Sequence, residues 1–127
     1  MMNVITYSRV STSAQDYNRQ IDELRIFCKK MKWEIDKEFS EVISGGMKTK
    51  DRPVLTQIIQ HVKSNEIDKV VVWDLSRLGR NTLEVLKTIE VFTDRKISLF
   101  IKNYNLETLD IEGKANPLTN FMVQILL

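Results

Sequence analysis

The chain lacks most of what would mark a metalloprotein, a disulfide scaffold or a membrane protein. One cysteine, Cys28, and one histidine, His61, can form neither an internal disulfide nor a Cys/His zinc constellation. No charged-then-apolar leader opens the chain and no apolar run approaches the length of a membrane span, so a soluble, cytoplasmic protein is expected. Excess charge is missing too. The 19 basic and 17 acidic residues leave a net charge of +2, so any anion-binding surface must be a local concentration of cations. Internal repeats, low-complexity segments and a compact carboxylate cluster for two metal ions are likewise absent.

What is present is a regular alternation of strand and helix patterns. At 127 residues, 43% of them apolar, the chain is expected to form one domain with its own core. The β-prone run Val4-Ile5-Thr6-Tyr7 is followed by a helical pattern over residues 13–31, with Ile21, Leu24, Cys28 and Met31 inward. Residues 33–43 alternate only partly, which predicts a second strand nearer the sheet edge. Residues 44–53 combine two glycines with three basic residues and read as a basic loop. Pro53 then opens a helix with Val54, Leu55, Ile58, Ile59 and Val62 buried, fading at Ser64 and Asn65.

The β-branched run at residues 69–73 predicts a central strand covered on both faces. Asn81 with Glu84 fits a helix start, and Leu83, Leu86, Ile89 and Phe92 give that helix its apolar face. Residues 97–101 predict a fourth strand, and a short extra one is expected around residues 104–106. A last helix begins at Asn116 with Pro117 in its first turn. Its end has no glycine and no basic residue, and its apolar surface is too broad for one stripe. It is therefore expected to continue in a longer parent protein and to meet a partner subunit. The fold class is α/β: a three-layer sandwich around a mainly parallel sheet of four or five strands, flavodoxin-like in topology.

Sheets of this kind bind ligands at the carboxyl ends of their strands, where the strand order reverses. There the first strand delivers Arg9 and Ser11, the second a loop ending in Arg52, and the third Arg77 and Arg80. Thr12 and Gln15 fit a capping box that would bring backbone N–H groups close to the Ser11 hydroxyl. On residue types alone, Ser11, Thr12 and Ser13 read more simply as cap and turn residues, and each arginine as a solvated side chain. Together they suit attack on an anionic centre. Guanidinium groups pair with phosphate oxygens and stay charged at any working pH. By analogy with oxyanion-hole deletions, each preplaced donor is worth about 3–4 kcal/mol to a transition state that gathers charge.

Tyr7-Ser8-Arg9-Val10-Ser11-Thr12, then Gln20, then Ser44-Gly45 with Asp51-Arg52-Pro53, then Leu75-Ser76-Arg77-Leu78-Gly79-Arg80-Asn81, resemble the catalytic domain of the serine recombinases, the resolvase/invertase family. The resemblance spans essentially the whole chain. It implies a catalytic domain over residues 1–114 and, over 115–127, the beginning of a long dimerisation and DNA-contact helix. It implies that Ser11 attacks a DNA phosphodiester to give a 5′-phosphoserine and a free 3′-hydroxyl, with Arg9, Arg52, Arg77 and Arg80 around the scissile phosphate. Tyr7, Gln15, Gln20 and Glu41 match supporting positions. No metal or other cofactor is implied. The implied partners are double-stranded DNA and further copies of the chain, a homodimer assembling to a tetramer, and the domain alone is expected to be inactive in full recombination.

One position departs from the pattern. Many resolvases carry an aspartate just before the arginine matched by Arg77, whereas this chain has Ser76, so no general acid or base is transferred there. The alternative reading is a non-catalytic regulatory or interaction domain of flavodoxin-like fold, in which Asp74 would resemble a phosphoacceptor. A hydrolase using Ser11 or Ser76 with His61 is a weaker alternative, because nothing in the pattern brings the imidazole to the strand ends. An exposed position on its helix is expected for His61.

Overall fold

The computed structural model describes residues 2–10, 14–42, 53–74, 78, 81–110 and 112–126; for residues 9–10, 14–17, 41–42, 53, 118, 120, 122–123 and 126 it describes the backbone alone. The elements follow in the order β1 (Asn3–Val10), α1 (Ala14–Lys30), β2 (Glu34–Val42), α2 (Pro53–Ser64), β3 (Lys69–Val72), α3 (Thr82–Asp94), β4 (Ser98–Ile101), β5 (Leu106–Glu107) and α4 (Pro117–Leu126). The sheet has five strands in the order β2-β1-β3-β4-β5. β1 to β4 pair in parallel, and β5 closes the far edge antiparallel to β4.

Alternation along β1 fixes the layers, because successive side chains point to opposite faces. Val4 joins Leu24 and Cys28 of α1, Val71 and Phe100 in one core, while Ile5 and Tyr7 join Leu55, Ile58 and Val62 of α2 and Val85, Ile89 and Phe92 of α3 in the other. α1 thus covers one face, and α2 with α3 the opposite one, giving the three expected layers. β3 is buried throughout, as its unbroken β-branched run requires, and β2 lies at the edge. Phe27, Trp33 and Phe100 pack ring to ring at 5.2–5.6 Å on the α1 face.

Helix ends explain two departures from the expected apolar stripes. α1 stops at Lys30 because Lys32 turns left-handed (φ 62°); the Lys32 N–H then donates to the Lys29 carbonyl and the Trp33 N–H to that of Cys28. Met31 therefore lies past the helix and is exposed rather than inward. Leu83, assigned to the inner face of α3, sits in its first turn and is exposed; Val85, Thr88, Ile89 and Phe92 carry the burial instead. α3 ends like α1, with Lys96 at φ 60° and bonds from Lys96 to Thr93 and from Ile97 to Phe92. Asn81 caps its start, accepting the Glu84 N–H at 3.0 Å. The short extra strand falls at Leu106–Glu107, just beyond the expected centre.

Candidate active site at the carboxyl rim of the sheet

The strand order places the chain's reversal between β1 and β3: from β1 the chain crosses through α1 to β2 on one side, and from β2 through α2 back to β3 on the other. The exits of β1 and β3 are therefore neighbours on one rim, the position at which parallel α/β sheets bind ligands. Ser11 directly follows the last residue of β1, and Arg9 is the penultimate residue of that strand, its backbone in register with Glu41 of β2. Arg52 directly precedes Pro53, the first residue of α2. Ser11, Arg52, Arg77 and Arg80 themselves lie outside the described residues, as does Thr12 of the expected capping box. Gln15 belongs to the first turn of α1.

Three described residues within or flanking the sequence that carries Arg77 and Arg80 are held in place. At its root, Trp73 accepts the Asn103 N–H at 2.9 Å. In its middle, Leu78 is only 1% exposed and packs in the core beneath α2 and α3, while its carbonyl accepts the Thr88 hydroxyl at 3.3 Å. At its end, Asn81 caps α3. Leu78 stands between the two arginines in sequence and is itself fixed in the core by its apolar side chain. Sequence reasoning gave Leu78 no role; the signal was a lone apolar residue flanked by Arg77 and Arg80.

Two of the supporting positions are buried. Tyr7 is fully enclosed in the core that packs against α2 and α3, level with Phe39 of β2 and Val72 of β3. Gln20, on α1, is 7% exposed, and its Oε1 is a buried acceptor with no hydrogen-bond partner among the described residues. Buried amide oxygens are rarely left unpaired. Gln20 is thus the described side chain with acceptor capacity to spare on the helix that leaves the β1 exit.

His61 is not the exposed residue expected. Its ring is mostly covered, edge-to-face with Phe39 at 5.7 Å, with Nε2 2.8 Å from Asp36 Oδ2 and Nδ1 3.3 Å from Asn65 Nδ2. It lies eight residues into α2, roughly 12 Å along the axis from the helix start. Fixed there between α2 and β2, it is removed from the rim and belongs to packing. Among the described residues, no three His, Cys, Asp or Glu side chains gather as a metal site needs. A cleft of about 610 Å³, lined by Met2, Trp33, Lys69, Ser98, Glu107 and Asn116 among others, opens at the amino ends of β3 and β4. Its buried cation, Lys69, is taken up by Glu107 at 2.8 Å and by the Trp33 ring at 4.2 Å.

Comparison with known proteins identifies the family. Residues 4–126 match the model of the resolvase N-terminal domain. The Tn552 DNA-invertase BinR of Staphylococcus aureus is 37% identical over 115 residues, 90% of this chain and 54% of the relative. The Tn917 resolvase of Enterococcus faecalis is 32% identical over 111 residues, 87% of this chain and 55% of the relative. The chain thus spans little more than half the length of these relatives. Among solved structures, the N-terminal catalytic domain of TP901-1 integrase superposes with a TM-score of 0.79 at 27% identity, covering 98% of this chain and 92% of that one. A resolvase family site-specific recombinase from Streptococcus pneumoniae shares the fold, with a TM-score of 0.77 at 23% identity over 99% of this chain and 86% of that one. The chain belongs to the resolvase family of serine recombinases, within the N-terminal domain of that family.

Proposed function

We propose that this chain is the catalytic portion of a site-specific DNA recombinase. Ser11 Oγ attacks a backbone phosphorus: the Oγ–P bond forms as the P–O3′ bond breaks, the serine proton is lost and the departing 3′ oxygen gains one. The product is a 5′-phosphoserine and a free 3′-hydroxyl. Attack of a 3′-hydroxyl on the phosphoserine reverses the step, so the phosphodiester energy is kept and no nucleotide cofactor or metal is called for. Arg9, Arg52, Arg77 and Arg80 hold the scissile phosphate, and Tyr7, Gln15, Gln20 and Glu41 support the site.

The observation that supports this reading is the adjacency of the β1 and β3 exits at the strand-order reversal, with Leu78, which lies between Arg77 and Arg80 in sequence, buried in the core. Donors aimed at the non-bridging oxygens of a phosphoryl group supply most of the catalysis such a reaction needs. The same proposal assigns residues 1–114 to the catalytic domain and 115–127 to the start of a dimerisation and DNA-contact helix. Its partners are duplex DNA and copies of the chain, paired as a dimer and assembled to a tetramer on DNA in the cytoplasm. Phe121 and Ile125 of α4 are exposed, as a helix with a partner to meet would be. The domain by itself is expected to fall short of full recombination.

The test uses the full-length recombinase that carries this chain and supercoiled DNA bearing its own sites, with covalent protein–DNA adduct as the readout. Ser11→Ala should abolish the adduct and leave site binding nearly intact. Arg77→Ala and Arg80→Ala should each slow cleavage by roughly 10²–10³-fold without unfolding the domain. An adduct that persists in Ser11→Ala, or near-normal cleavage in both arginine variants, contradicts the proposal.

A further inference from the structure

The turn after β4 reaches the same rim. Lys102 immediately follows β4, and the register sets Ile101 beside Val72, which in turn pairs with Tyr7. The Lys102 N–H donates to the Val72 carbonyl and the Asn103 N–H to that of Trp73, both at 2.9 Å. Two backbone bonds therefore stitch this turn to the exit of β3, the root of the segment bearing Arg77 and Arg80.

The Lys102 side chain is half-buried, with its amine 5.1 Å from the centre of the Phe27 ring and 5.7 Å from that of Trp73. Lys69, also held on aromatic rings, has Glu107 as its counter-ion. Lys102 forms no ion pair with a carboxylate among the described residues. Aromatic faces attract an ammonium and restrict its stem, but they do not cancel its charge. A lysine anchored in this way, uncompensated and next to an arginine-bearing segment, suits an anion arriving from solvent. Asn103 and Tyr104, the next two residues, are exposed, so the approach to the turn is open.

Resting on the recombinase reading of the rim, we propose that Lys102 is a DNA-backbone contact, a phosphate-binding residue outside the arginine set. Strands lie ~4.8 Å apart, so the β4 exit is about 10 Å from that of β1. That separation assigns Lys102 a phosphate near the one attacked, not the attacked phosphate itself. The contact positions the duplex and reads no sequence.

The experiment measures binding of the 127-residue chain to a fluorescent duplex at several low salt concentrations, with Lys102→Gln, Lys102→Arg and, as a control at the end of α1, Lys30→Gln. Lys102→Gln should weaken binding several-fold and lower the slope of log K against log[salt] by about 0.9, the value for one lost phosphate contact. Lys102→Arg should restore both, and Lys30→Gln should change neither. Lys102→Met keeps the stem over Phe27 and Trp73 and replaces Lys102→Gln if the latter lowers the melting temperature. An unchanged affinity and slope in the neutral variant, an equal loss in Lys30→Gln, or no salt-dependent binding by the parent chain overturns the proposal. Adduct formation is scored separately. With the adduct scored in the full-length recombinase, a normal Ser11 adduct beside an unchanged slope in Lys102→Gln removes this contact alone, whereas a lowered slope in Lys102→Gln with no adduct from the full-length recombinase removes the strand-cleavage reading alone.

Discussion

Cys28 is the one thiol of the chain and is wholly enclosed by the core beneath α1. Burial, with a smaller contribution from Glu38 and some opposition from Lys69, pushes it up to about 11. The thiolate is the reactive form, so Cys28 should resist alkylation by iodoacetamide at pH 8 in the folded chain and react readily in urea. The same shift has a sign in stability. An unfolded thiol ionises near ~8.5 while the native one holds its proton. The stabilisation is full below the unfolded value and is lost as pH rises through about 11. Urea midpoints should fall across that window in the parent chain, and the fall should be smaller in Cys28→Ala; equal falls would contradict the assignment. Other residues were legible by type but not by surroundings. Tyr7 and Gln20 could be matched as polar site positions, yet only the packed structure encloses the phenol and leaves the amide oxygen without a partner among the described residues. His61 was misjudged because its partner, Asp36, comes from another element 25 residues away.

At the scale of elements, periodicity carried most of the fold. The alternation of strand and helix, the central position of β3, the edge position of β2 and the prolines opening α2 and α4 were all readable from local pattern. Helix ends were less so. A glycine just past the last turn is the usual stop signal, whereas α1 and α3 stop at lysines in the left-handed region, a conformation invisible in residue type. α3 offers a paired test of this account. Asn81→Ala removes the acceptor for the Glu84 N–H and should lower stability by about 1 kcal/mol. Lys96→Gly relieves the left-handed backbone and should raise stability by about 0.5–1 kcal/mol, once the greater freedom of glycine in the unfolded chain is set against it. Urea denaturation of both variants checks the pair, and two changes of the same sign would contradict it. Because Asn81 also ends the segment bearing Arg77 and Arg80, Asn81→Ala tests how far that cap supports the rim.

At the scale of the whole molecule, one topological fact underlies the chemistry proposed for the rim. Reversal of strand order between β1 and β3 makes neighbours of two segments more than sixty residues apart in sequence. No local pattern reports this; it follows only from the right-handed crossovers that put α1 on one face of the sheet and α2 with α3 on the other. The cations proposed for the rim belong to a chain whose net charge is +2, so composition alone could not point to them. The most direct measurement traps the reaction of the full-length recombinase with its own DNA sites, digests protein and DNA, and weighs the peptide that contains Ser11. The mass should exceed that of the free peptide by a nucleotide attached through its 5′-phosphate, with fragmentation placing the addition on the Ser11 oxygen. A nucleotide on any other side chain, or an unmodified Ser11 peptide beside cleaved DNA, would contradict the account.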